Sequence, residues 1–72
     1  MKLYEIPRNS KIKAKNTSGK DIFITFLHLD GAYSYCVIED SDPDNVIHLS
    51  ANTPLKKVGD YYEIDESENN TR

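Results

Sequence analysis

Residues 21–40 read DIFITFLHLDGAYSYCVIED, and this stretch decides the fold. Two runs rich in β-branched and aromatic residues flank Asp30-Gly31. An Asp-Gly pair between such runs suits a two-residue type I′ hairpin turn, in which both central residues need positive φ. A tight turn there sets the register. Leu29 then faces Ala32, His28 faces Tyr33, Phe26 faces Tyr35, Thr25 faces Cys36 and Ile24 faces Val37. Because side chains alternate along a strand, these pairs sort onto two faces. One carries Phe23, Leu27, Leu29, Cys36 and Ile38. The other carries Ile24, Phe26, Tyr33, Tyr35 and Val37, with His28 at its edge. Neither face is polar. Leaving four apolar side chains of the second face wet would forfeit roughly 6–12 kcal/mol at about 1.5–3 each. A core of this size rarely supplies more than about 3–5 kcal/mol. The second face must therefore be covered by the rest of the chain, by another copy or by a ligand.

Outward from the hairpin the same alternation recurs. Lys2 to Ile6 reads as a first strand and Pro7 to Ser10 as a turn. Lys11 to Lys15 (KIKAK) alternates strictly, and Thr17 to Lys20 turns. Glu39 to Asn45 is a polar loop in which Pro43 rules out a ladder position. Asn45 to Leu49 is a further strand, and Ser50 to Pro54 has room for a single 3₁₀ turn. Leu55 to Val58 and Tyr61 to Ile64 flank Gly59-Asp60 as two short strands. Asp65 to Arg72 lacks apolar residues and reads as a disordered acidic tail. The expectation is all-β: residues 1–64 form a single small barrel of five to six short antiparallel strands, followed by the tail at 65–72. The element order resembles SH3-like barrels, in which one 3₁₀ turn precedes the last strand. OB-like barrels and a simple meander fit the same spacing.

Composition narrows the class. The chain has 72 residues and one cysteine, so no intrachain disulfide forms. Cys36, inside an apolar run, reads as a buried inert thiol in a reducing compartment. There is no apolar signal-peptide core and no stretch of the roughly 20 apolar residues that a membrane helix needs. The expected location is the cytoplasm. Net charge is −3 but polarised: residues 1–36 hold six Lys and Arg against three acids, and residues 37–72 hold three against nine. Such a chain can pair head to tail with itself or present a basic face to an anion.

The candidate binding residues are Lys11, Lys13, Lys15, Phe26, His28, Tyr33 and Tyr35. The three lysines share one face of their strand. They form either a cationic stripe for phosphates or a guard against pairing at a sheet edge. Phe26, Tyr33 and Tyr35 provide either a stacking platform or rings buried in the fold or at a self-interface. Asp40, Asp42 and Asp44 mimic the start of a calcium loop, but Asn45 and Ala51 stand where such a loop needs Gly and Glu. The reading is a solvated loop. His28, Cys36 and His48 match no zinc spacing. No phosphate loop, dinucleotide fingerprint or catalytic carboxylate pair is present. The residues thus point to a binding protein without catalysis, metal or cofactor.

The segments KLYEIP (2–7) and GDYYEI (59–64), in a compact acidic chain, resemble the style of accessory proteins of tailed bacteriophages. That resemblance implies a small non-catalytic protein, acting in the host cytoplasm, that sequesters or inhibits a host component. The doubly apolar hairpin adds self-association, most simply as a dimer with Phe26, Tyr33 and Tyr35 near the contact. The alternatives are a nucleic-acid-binding barrel that uses the lysine stripe and tyrosines, or an oligomeric sponge for a small nucleotide signal.

Overall fold

The computed structural model describes residues 1–39 and 44–65. Residues 40–43, which hold most of the calcium-like loop, and 66–72, nearly all of the acidic tail, lie outside the described residues. The architecture is all-β. Six strands, β1 (Lys11–Lys15), β2 (Asp21–Asp30), β3 (Tyr33–Ile38), β4 (Val46–Ile47), β5 (Leu55–Val58) and β6 (Tyr61–Ile64), form one sheet in the order β4-β3-β2-β1-β6-β5. The sheet is mixed, because β1 runs parallel to β6, with Ile12 opposite Tyr62 and Lys13 opposite Glu63. It curls without closing, so the expected closed antiparallel barrel is corrected to an open mixed sheet.

The β2–β3 hairpin differs from the sequence expectation in two ways. Its loop is Gly31-Ala32, one residue later than expected, with Asp30 paired to Tyr33. Only the first loop residue has positive φ (Gly31, 65°), as in type II′ turns that place Gly there. By itself this slip moves no side chain to the other face. The second difference does. A bulge between Phe26 and His28 shifts the ladder, so that His28 pairs Tyr35 while Phe26 pairs Cys36, Thr25 pairs Val37 and Ile24 pairs Ile38. Ile24 and Phe26 therefore share a face with Cys36 and Ile38. Tyr33, Tyr35 and Val37 share the opposite face with Phe23, Thr25 and His28.

The inner face holds the core: Leu3, Ile6, Ile12, Ala14, Ile24, Phe26, Cys36 and Leu55, with Ile22, Ile38, Ile47, Leu49, Tyr62 and Ile64 packed around it. Its cover is the N-terminal segment. Residues Leu3–Glu5, expected as strand, form one 3₁₀ turn closed by bonds from Glu5 N–H to the Lys2 carbonyl and from Ile6 N–H to the Leu3 carbonyl. The Glu5 carboxylate also accepts from Lys2 N–H at 2.7 Å. In a 3₁₀ turn residues three apart eclipse, so Leu3 and Ile6 point together into the sheet. Backbone bonds from Leu3 N–H to Thr53 O and Tyr4 N–H to Ala51 O tie this cover to the chain between β4 and β5.

Two polar details complete the packing. Asn9, at φ 70°, donates its N–H to Phe26 O, and Phe26 N–H bonds to Ser10 O. Asn is one of the few residues that tolerates that backbone conformation. Ser34 is the one buried polar residue among those described. Its hydroxyl donates to Leu49 O at 2.9 Å and accepts from Leu49 N–H at 3.2 Å, so nothing is left unpaired.

Cys36 is fully buried, and burial pushes its thiol above the ordinary range, partly opposed by the Ser34 hydroxyl at 3.4 Å. The native protein should resist thiol reagents at pH 8 and react only on unfolding, as a timed chromogenic thiol assay with and without denaturant will show. Phe26→Ala should cost about 3–5 kcal/mol, as much as so small a core supplies, so circular dichroism should find the variant largely unfolded in buffer.

Candidate functional site

The outer face of the sheet carries two distinct groups of side chains. The first is an aromatic row. The bulge that sends Phe26 inward returns His28 to the outer face, where it stacks on Tyr35 with ring centroids 5.2 Å apart and planes 10° apart. His48, just beyond β4, meets the other side of Tyr35 edge-on at 5.3 Å. Both imidazoles are held by backbone. Nδ1 of His28 lies 3.0 Å from Leu29 O, and Nδ1 of His48 lies 3.0 Å from Ser34 O. A carbonyl only accepts, so Nδ1 carries the proton in both rings. In the neutral rings Nε2 is then left as an acceptor. Tyr33, two residues before Tyr35 on the same strand face, is 56% exposed.

The second group is a lattice of charges. Asp21 on β2, Lys13 and Lys15 on β1, Glu63 on β6 and Lys56 on β5 alternate in sign across four neighbouring strands. Lys15 meets Asp21 at 2.8 Å, and Lys13 reaches Asp21 at 3.5 Å and Glu63 at 3.8 Å. Lys56 meets Glu63 at 3.6 Å. Lys11 contacts Glu39 at 3.5 Å and lies 5.5 Å above the Phe23 ring, which in turn meets Tyr61 edge-on at 5.3 Å. Among the described residues, Lys11, Lys13, Lys15 and Lys56 are thus each engaged by a carboxylate. The bond and charge of Lys15, then Lys13, hold the Asp21 carboxyl below its usual range.

The expected site residues separate accordingly. Phe26, expected beside the tyrosines, is instead on the inner face: at 3% exposure it belongs to the core, and it reaches the surface only at the floor of a depression beside His28 and Leu29. Lys11, Lys13 and Lys15 do share one face, but β1 is an interior strand, so they neither guard an edge nor form an unpaired cationic stripe. His28, Tyr33 and Tyr35 do come together on one face. His48 completes the row and was missed as part of it, because only the β3–β4 pairing brings residue 48 beside residue 35.

A cleft of about 520 Å³ opens on the inner side, floored by Ala14, Ile47, Leu49 and Ile64 and rimmed by the charges of the lattice. Among the described residues no cluster of three or more His, Cys, Asp or Glu could hold a metal ion, and no helix is long and apolar enough to cross a membrane. No protein-family model, curated protein or solved structure matches this chain.

Because the folded Asp21 carboxyl titrates below its unfolded value, its contribution to stability is present above the unfolded value and is lost as pH falls through the folded one. Carbon-detected NMR titration should give Asp21 a lower midpoint than an isolated carboxylate, and Lys15→Ala should raise it. Lys13→Glu would set a third carboxylate between Asp21 and Glu63. It should lower Tm by roughly 4–8 °C, with much of the loss recovered in about 1 M salt.

Proposed function

We propose that this protein is a non-catalytic binding protein that sequesters a protein partner on the outer face of its sheet. The observation that carries the reading is the His28–Tyr35–His48 row. Its rings pack against one another, both histidines are tied to backbone carbonyls, and His28 and His48 are exposed while Tyr35 is half-buried. Rigid amphipathic rings lose little entropy on binding, which is why such side chains dominate contact surfaces.

The charge lattice supports a protein partner over a phosphate backbone. A cation already held by carboxylates must break that pairing before it can neutralise a phosphate, so counterion release would gain little. For the same reason the reading places nucleic acid and small nucleotides behind a protein surface. The phage-type role, inhibition of a host component in the host cytoplasm, is the biological setting we propose on the likeness of KLYEIP and GDYYEI. We also read the strand order as an opened relative of the SH3-like barrel, on the single turn closed by Thr53 N–H to Ser50 O before β5.

The experiment compares tagged wild-type protein with Tyr35→Ser/His48→Ser for retention of a partner from lysate of the host, with a fluorescent single-stranded oligonucleotide titrated in parallel. One protein retained by the wild type and lost by the variant is the expected result. Equal retention by both, or oligonucleotide binding that falls steeply with salt, would overturn the reading.

A further inference from the structure

Among the described residues, three of the four large apolar side chains that stand about half exposed lie at or beside the tip of the β2–β3 hairpin: Leu29 at 45% and Tyr33 at 56% on its two strands, and Tyr4 at 51% across a depression from Leu29. Tyr4 arrives there because the N-terminal segment runs along residues 51–55 and bonds to Ala51, which itself bonds to Ala32 of the hairpin loop. Between Tyr4 and Leu29 lies a shallow depression of about 370 Å³, walled by Pro7, Arg8 and His28 over Phe26. The tip therefore offers both a projecting apolar side chain and a hollow beside it.

Two charges of opposite sign flank the depression. Arg8 borders the depression, and Asp30 follows Leu29 at the end of β2. Both residues are exposed. Neither side chain enters an ion pair or a side-chain hydrogen bond, whereas Lys11, Lys13, Lys15 and Lys56 are all engaged by carboxylates. An apolar centre rimmed by separated, unpaired charges of both signs is the anatomy of a contact surface.

We propose that the hairpin tip is a self-association surface whose occupant is a second copy of this chain. In the two-fold dimer, Leu29 of each copy seats in the other's depression, and Arg8 of each copy faces Asp30 of the other. A two-fold contact requires a patch that fits itself, and a projection beside a hollow meets that requirement. An anionic partner would satisfy Arg8 but repel Asp30, and a cationic one the reverse. A second copy related by a two-fold axis satisfies both at once. His28 walls the depression and also stacks on Tyr35, so the contact adjoins the aromatic row but is argued from the depression, Leu29, Arg8 and Asp30 alone. A standard interface buries about 800 Å² per partner, and the whole chain exposes 4889 Å². Area alone does not set affinity, so the test spans low to high micromolar concentrations.

Analytical ultracentrifugation of the purified protein from about 5 to 500 μM tests this across the range where a micromolar Kd is visible. The expected mass rises with concentration from 8.2 kDa towards twice that value. Leu29→Asp should remain monomeric at every concentration. Arg8→Asp and Asp30→Arg should each raise Kd at least about tenfold, since each sets like charges face to face. The double variant Arg8→Asp/Asp30→Arg should restore the wild-type Kd to within about threefold, because the pair is merely exchanged. Circular dichroism melts verify folding, and if Leu29→Asp does not fold, the charge series decides alone. A wild-type protein that stays at 8.2 kDa at the highest concentration would overturn the proposal. So would a dimer that a folded Leu29→Asp leaves intact, or a double variant no tighter than the single ones.

Discussion

The ladder shift between Phe26 and His28 is the constraint on which the rest of this structure depends. On the hairpin side of it, His28 and Tyr35 look outward. On the other side, Ile24 and Phe26 look inward beside Cys36 and Ile38. A bulge changes side-chain parity within one strand, so a single extra residue separates a core-forming half of β2 from a surface-forming half. Phe26 is held on both flanks, by Cys36 across one ladder and by Asn9 and Ser10 across the other. Its ring therefore has one place to go. Without the bulge, His28 would follow Ile24 and Phe26 into the core, and the aromatic row would lose its first ring.

This also removes the apparent excess of apolar surface in the hairpin. With continuous alternation both faces would be apolar, and one would need an outside cover. With the bulge, Ile22, Ile24, Phe26, Cys36 and Ile38 share one buried or half-buried face, and the N-terminal turn places Leu3 and Ile6 over it. The other face is amphipathic. Phe23 lies beneath the Lys11 ammonium and against Tyr61, and Tyr35 between two imidazoles. Of the described hairpin residues, the large apolar side chains left about half exposed are Leu29 and Tyr33, at its tip.

The outer surface divides into regions with different chemistry because strand pairing distributes the charges. The lysines of β1 fall between Asp21 of β2 and Glu63 of β6, and the net negative chain thereby neutralises its own basic strand. The aromatic row sits at the other end of the sheet order, on β2, β3 and the segment after β4. Pairing of lysines in one region and exposure of rings in the other are the two features on which the proposed recognition of a protein surface rests.

Some of this was legible in the residues alone. KIKAK, LKKV and YYEI form strands where their alternation places them, and Gly59 turns the last hairpin at φ 59°. Cys36 is buried, as an apolar run around a lone cysteine implies. The shared face of Lys11, Lys13 and Lys15 follows from the period of two. Tertiary structure decided what local pattern does not encode. As a strand, Lys2 to Ile6 would send Leu3 and Ile6 to opposite faces, and only the sheet beneath them selects the turn that buries both. The hairpin loop and its bulge depend on what β2 meets on its far side, at Asn9 and Ser10, which lie outside the hairpin. The partners of the lysines come from strands up to fifty residues away in sequence, as Lys13 and Glu63 show. His48 joins Tyr35 only through the β3–β4 pairing. Alternation is a property of neighbours along the chain, whereas register, charge pairing and ring contacts are properties of neighbours in space.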